Sequence, residues 1–257
     1  MRVVDFNADV GEGAPEVDDA LLRLVTSANV ACGLHAGNPQ TMRATVALAV
    51  KHRVAVGAHP GWDDREGFGR RPLQMSATDI KDLILYQLGA LHAIARAEGA
   101  ILRHVKPHGA LYNQAEADRP LAAAIVEAIR AFDPTLRLVG RAGSALAAAA
   151  NALAHPFTPE AFADRRYRPD GSLLPRSDQA ALLIGPDEVA SQVRSLVTDG
   201  EVLAVDGTRV PVAFETLCLH GDTPGSSVLA VRVRQELAAL GLTVCAPPSP
   251  GVDTLRR

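Results

Sequence analysis

Short apolar runs with strand-like character take turns along the chain with longer stretches whose apolar positions recur at helical spacing. Residues 3–10 read as a first strand. After Gly11 and Gly13, residues 15–28 read as a helix, with Pro15 in its first turn and Glu16, Asp18 and Asp19 at its positive dipole end. A second strand is expected over 29–34. Asn38-Pro39 then supplies an N-cap and a first-turn proline for a helix running to His52, and a strand follows over 54–58. Residues 61–72, GWDDREGFGRRP, carry neither period and are expected to form a structured excursion. Ser76 with Asp79 resembles a capping box for a long helix ending at Gly99, with Ile80, Leu83, Ile84, Gln87, Leu88, Leu91 and Ile94 on one face. A strand over 101–106, a helix over 121–132, a strand over 136–140 and a helix from about Ser144 into His155-Pro156 continue the order. The last third adds a helix over 187–197 and a tight hairpin, strands 202–205 and 209–213 joined at Asp206-Gly207. An apolar run over 214–219, a helix over 227–240 and a short strand over 243–245 complete the pattern. No linker or repeat interrupts it, so residues 1–257 read as one α/β domain, its parallel sheet covered by helices or closed as a barrel.

Polar residues gather at the ends of five of these strands: Asp5, Asn7, Asp9 and Glu12; Asn29 and His35; His59; Lys106 and His108; His220 and Asp222. In a β/α barrel the C-terminal strand ends line one mouth, so these positions would converge there. Asp5, Asn7 and Asp9 share one face of the first strand, which therefore lines a wet cavity or lies at a sheet edge. His35, His59, His108 and His220 are each flanked by glycine or proline, as close approach of backbone and ligand requires. His104 and Lys106 point to the same side of their strand, and a buried lysine there is costly unless it meets an anion.

Composition narrows the classes. With 47% hydrophobic residues the chain can bury a core, and 26 Lys plus Arg against 29 Asp plus Glu leave no footprint for nucleic acid or anionic membranes. The acidic N-terminus lacks a signal-peptide core, no apolar run approaches the roughly 18 residues of a membrane helix, and three cysteines without CxxC spacing fit a reducing cytoplasm. There is no GxSxG elbow, no GxxxxGK[ST] and no GxGxxG. Two chemistries stay open: metal-assisted hydrolysis through His and Asp, and metal-free acid–base catalysis.

The segments DFNADVGE (5–12), SANVACGLHAG (27–37), GAHP (57–60), GFGRR (67–71), VKPHGALYN (105–113), FADR (162–165) and TLCLHGD (216–222) together resemble the LamB/YcsF family. The chain departs from the family pattern mildly, at Ala8, Asn38 and Gly61-Trp62 and in a short loop after Glu12. The resemblance implies a seven-stranded β/α barrel of the glycoside hydrolase and deacetylase type. It also implies an activity, the opening of 5-oxo-L-proline to L-glutamate coupled to ATP hydrolysis, in a 5-oxoprolinase complex where this chain is the A component beside B and C subunits. On that basis Asp9 or His35 is the expected base, Lys106 and His108 the oxyanion stabilisers, and Arg70 or Arg71 the clamp on a carboxylate or phosphate. Asn7, Glu12, Asn29, His59, His220 and Asp222 complete the expected substrate-binding set, with His59, His220 and Asp222 orienting these groups or holding a divalent metal. ATP is expected to be handled with the partner subunits, so the chain alone should be inactive or nearly so. The GFGRR loop and the Asp206-Gly207 hairpin are the expected partner contacts, and assembly into homo-oligomers stays open. Two other classes share these features: a stand-alone metal-dependent deacetylase or amidohydrolase, and a non-catalytic barrel that binds a small acid or sugar.

Overall fold

The computed structural model describes residues 2–248, so the ends of the 1–257 reading, Met1 and residues 249–257, lie outside it. The strands are β1 (Val3–Val10), β2 (Ser27–Ala31), β3 (Ala55–His59), β4 (Leu102–Val105), β5 (Arg137–Arg141), β6 (Phe157–Phe162), β7 (Glu201–Leu203), β8 (Arg209–Pro211), β9 (Thr216–Leu219) and β10 (Thr243–Val244). Strands β1 to β6 pair in chain order, β6 pairs with β9, and β9 returns to β1, closing a parallel barrel of seven strands. β10 continues the edge of β1 at Val3 and Val4. The helices are α1 (Pro15–Leu22), α2 (Pro39–His52), α3 (Ala77–Ala97), α4 (Gly109–Ala115), α5 (Arg119–Phe132), α6 (Ala145–Ala152), α7 (Pro186–Thr198) and α8 (Ser226–Ala239).

Strand alternation divides the core in two. Val4, Phe6, Ala8 and Val10 on β1, with Ala28 and Val30 on β2 and Leu217 and Leu219 on β9, are buried under the helices. In α3, Ile84, Leu88 and Leu91 are wholly buried, and each contributes roughly 1.5–3 kcal/mol of burial. The other strand face is polar and closes on itself. Asp5 accepts from Ser27, Thr26 and Thr216, while Asn7 donates to Glu160 and Thr216 and accepts from Asn29. A polar interior is tolerated because nearly every group has a partner. The edge-strand alternative for β1 is thereby excluded, since β1 is paired on both sides.

The helix caps follow the sequence. Asn38 accepts from the Thr41 N–H at 2.9 Å and Ser76 from the Asp79 N–H at 3.1 Å. Several boundaries differ. The helix expected over 15–28 stops at Leu22, because Thr26 turns to bond the Phe6 carbonyl and Ser27 pairs with Asn7 on β1. The second strand accordingly runs 27–31 rather than 29–34. Strand β6 was not expected: Pro159, which lacks an N–H, breaks the usual strand signal, yet its carbonyl accepts from Glu215. The hairpin is not tight, because a five-residue turn links Leu203 to Arg209, with Ala204 N–H donating to the Thr208 carbonyl.

Candidate active site

At the C-terminal ends of the barrel strands lies a cavity of about 390 Å³, lined by Asp9, Glu12, His59, Arg70, Lys106, His108, His220 and Asp222 among the expected residues. A cavity there, within the usual roughly 300–1,000 Å³ of small-molecule sites, is where a β/α barrel places its chemistry. Asn7 and Asn29 lie beneath this floor rather than on it: Asn29 donates to Asp9 Oδ1 at 2.8 Å and accepts from His104 at 2.7 Å. His35 also lies behind the wall, its ring stacked on His108 at 3.8 Å between centroids. It is not among the residues that line the cavity. Arg71 points away and pairs with Asp64, leaving Arg70, which pairs with Asp222, as the arginine of this loop in the cavity.

Lys106 forms the centre of the floor. Its Nζ lies 3.1 Å from Asp9 Oδ1, 2.9 Å from Glu160 Oε1 and 3.0 Å from Cys218 Sγ. Burial works against the charges, but His59 and Lys106 beside Asp9 hold its carboxyl well below the usual range, and the carboxylates of Asp9 and Glu160 hold Lys106 charged. So acidic a carboxylate is a weak proton acceptor. His220 is a second candidate, its pKa also lowered by burial. Its Nδ1–H points to Asp164, 3.0 Å away and fully buried, which leaves Nε2 without a partner among the described residues, on a ring that lines the cavity.

Four residues of this site escaped the sequence reading. Glu160 belongs to the unexpected strand β6, Asp164 follows it, and Arg165 and Arg176 come from the irregular stretch after it. The alternation of Thr158, Glu160 and Phe162 was the available signal, hidden by Pro159. Arg165 is 4% exposed, and its Nε, like Arg176 Nη2, is buried with no hydrogen-bond partner. Both arginines line the cavity and add positive charge to its wall.

The GFGRR loop, expected to meet a partner, helps to build the site. Phe68 adopts φ 53°, and its carbonyl accepts from His108 Nε2 at 2.8 Å. His108 Nδ1 faces His59 Nε2 at 3.0 Å and Glu12 Oε1 at 3.2 Å. The ring thus has no N–H directed at a substrate. Among the described residues, two groups bring metal-ligand types of atom within 4.8 Å of one another: Glu12, His59 and His108; and Asp9, Cys218 and His220. The second is already filled by the Lys106 ammonium, bonded to both Asp9 and Cys218, and burial pushes the Cys218 thiol up and keeps it protonated.

Fold and site together define a closed parallel β/α barrel with a polar, cation-bearing site at its C-terminal mouth. The chain belongs to the LamB/YcsF family, whose sequence model matches residues 4–250. It is 53% identical over 249 residues to the A subunit of 5-oxoprolinase from Methylococcus capsulatus, covering 95% of this chain and 96% of that one. To the protein of the same name from Symbiobacterium thermophilum it is 49% identical over 251 residues, covering 96% of each. Among solved structures, the lactam utilization protein from Thermus thermophilus superposes with a TM-score of 0.89 at 43% identity, over 96% of this chain and all of that one. A family 4 carbohydrate esterase from Streptomyces lividans shares the fold alone, with a TM-score of 0.52 at 13% identity over 98% of this chain and 95% of that one.

Proposed function

We propose that this chain, acting as one barrel domain, is the A component of an ATP-dependent 5-oxoprolinase that opens 5-oxo-L-proline to L-glutamate. The observation that carries this reading is the near full-length identity, about half of all positions, to proteins named as the A subunit of 5-oxoprolinase. The cavity fits the task. A lactam carbonyl is a poor electrophile because its nitrogen donates into it, and phosphorylation of the amide oxygen would create a leaving group. Water then adds to the ring carbon, its proton passing to His220 Nε2 and on to the departing nitrogen as the C–N bond breaks, and a second water cleaves the resulting acyl phosphate to release glutamate and phosphate. Lys106 stabilises the oxyanion, with Asp9 and Glu160 holding it in place. Arg165 and Arg176, with Arg70, would take the substrate carboxylate or the phosphate.

ATP, in this reading, is bound with the B and C subunits, consistent with the missing phosphate loop. No helix among the described residues is long and apolar enough to cross a membrane, and the free cysteines Cys32, Cys218 and Cys245 support a reducing, cytoplasmic setting. The test is glutamate release from 5-oxoproline and ATP by the chain alone and with the B and C subunits. Activity only in the mixture, lost in Lys106→Ala, is the expected result. Steady ATP-dependent turnover by the single chain, or none in any combination, would sink the reading. The Glu12, His59 and His108 group keeps a second one in view, a metal-dependent amidohydrolase, which ATP-free ring opening by the chain alone would favour.

A further inference from the structure

In neutral rings, the hydrogen-bond directions around His59 and His108 would leave two lone pairs facing each other. His59 Nδ1 lies 2.6 Å from the Lys106 carbonyl and His108 Nε2 2.8 Å from the Phe68 carbonyl. Carbonyls only accept, so each of these nitrogens carries its ring's proton. The remaining nitrogens, His59 Nε2 and His108 Nδ1, are bare in the neutral rings, and they sit 3.0 Å apart. The Glu12 Oε1 adds a third acceptor, 3.2 Å from His108 Nδ1 and 3.9 Å from His59 Nε2. Acceptors do not converge like this without something positive between them.

We propose that Glu12 Oε1, His59 Nε2 and His108 Nδ1 bind one divalent transition-metal ion of the Zn²⁺ type. Donors about 2.0–2.1 Å from a tetrahedral Zn²⁺ stand roughly 3.3 Å from one another, and the three observed separations of 3.0, 3.2 and 3.9 Å bracket that value. The supports beneath the ligands match those of ligating histidines, which donate their other N–H to a carbonyl or carboxylate. Glu12 is held in a similar way: His35 Nε2 lies 3.1 Å from its Oε1. All three ligand residues line the cavity, so the ion keeps an open position toward a bound molecule, where it polarises an oxygen or acidifies a water. The ion site stands independently of the substrate reading.

The test strips the full chain with a chelator, titrates it with Zn²⁺ by calorimetry and counts retained metal by mass spectrometry, with Co²⁺ absorption as a probe of geometry. One equivalent per chain is expected. Glu12→Gln, which keeps shape and volume, and His108→Ala should each weaken binding at least about 100-fold, more than the 10–100-fold typical of residues that merely support a ligand, with unchanged circular dichroism. His220→Ala should retain the ion. Failure of the wild type to hold stoichiometric Zn²⁺ overturns the proposal and leaves a shared proton as the bridge. Retention in both ligand variants overturns it, as does loss in His220→Ala with Glu12→Gln unaffected, which would move the ion to the Asp9 group. Glutamate release is no part of the readout, so a failed substrate assay leaves the result intact.

Discussion

Lys106 Nζ lies 2.9 Å from Glu160 Oε1, so the cation facing the cavity is anchored from below by a carboxyl group with no exposure of its own. The two carboxyl groups around this lysine differ. Asp9 is held well below the usual range, whereas burial pushes Glu160 up despite Lys106, and Glu160 Oε2 has no partner. One cation thus serves two acids, and it favours Asp9.

Removal of the lysine leaves Glu160 buried without a counter-charge and Asp9 with His59 as its remaining cation. Lys106→Met should destabilise the fold by about 3–5 kcal/mol, the usual cost of breaking a buried pair from one side. Glu160→Gln, which leaves Lys106 paired with Asp9, should cost less. Urea unfolding followed by circular dichroism checks the order, and equal losses would contradict it.

Asp164→Asn tests the proton acceptor. Without the carboxylate at Nδ1, His220 loses its tautomer control and part of its basicity, so kcat of the reconstituted enzyme should fall by roughly 10²–10⁴ with KM little changed. A matching fall in the His220 pKa, read by NMR, separates this from general damage. An unaltered kcat would remove His220 from the proton path.

The proposed anion role predicts a split between the arginines. Arg176→Ala, at the cavity, should raise KM for 5-oxoproline or ATP roughly 10-fold or more, as loss of a charge-assisted bond of about 1.5–3 kcal/mol implies. Arg71→Ala, paired with Asp64 outside the cavity, should leave both constants near wild type. The reverse pattern would restore Arg71 as the clamp.

Gly57 on β3 has no room for a side chain: a Cβ there would collide with His104 Nε2, the atom that bonds Asn29. Gly57→Ala should cost about 1–3 kcal/mol from overpacking. Combined with His104→Ala it should cost less than the sum of the single changes, a coupling of about 0.5–3 kcal/mol measurable by a double-mutant cycle. Additive effects would mean that the backbone, not His104, absorbs the methyl group.

Asp18 gives a pH signature. Burial pushes its carboxyl up to about 6, against the Gly11 N–H that donates to it and with help from the Glu12 charge. The folded state therefore binds this proton more tightly than the unfolded chain. That stability is full below pH about 4 and is lost as pH rises to about 6. Asp18→Asn escapes the loss. Its stability relative to wild type should grow between these values and level off above pH 7 at no more than about 3 kcal/mol. A flat difference across that range, in thermal melts, would refute the assignment.

Much of the barrel was legible because its strands carry two messages. Val4, Phe6, Ala8 and Val10 announce burial, and the interleaved Asp5, Asn7 and Asp9 announce a second, polar interior. The histidines after β2, β3, β4 and β9 could be placed at one mouth on topology alone. What sequence spacing could not give was depth. Nothing local separates His35, stacked behind His108, from His59 in the wall, or Arg71 from Arg70 next to it. Those distinctions come from side-chain direction in an irregular loop. Glu160 and the Arg165 wall were hidden for another reason: Pro159 masks the strand that carries the first, and the stretch after it has no period at all.

Arg165, Leu173, Pro175, Arg176 and Ser177 form one side of the cavity, and Tyr167 ties it to β6 by accepting from the Phe162 N–H at 2.8 Å. The floor, with Lys106, Asp9 and His220, is fixed by strand register and cannot drift without unmaking the barrel. The side wall belongs to the connection between β6 and α7, outside the strand register. A change of length or charge there can therefore alter which molecules enter while the floor stays in place.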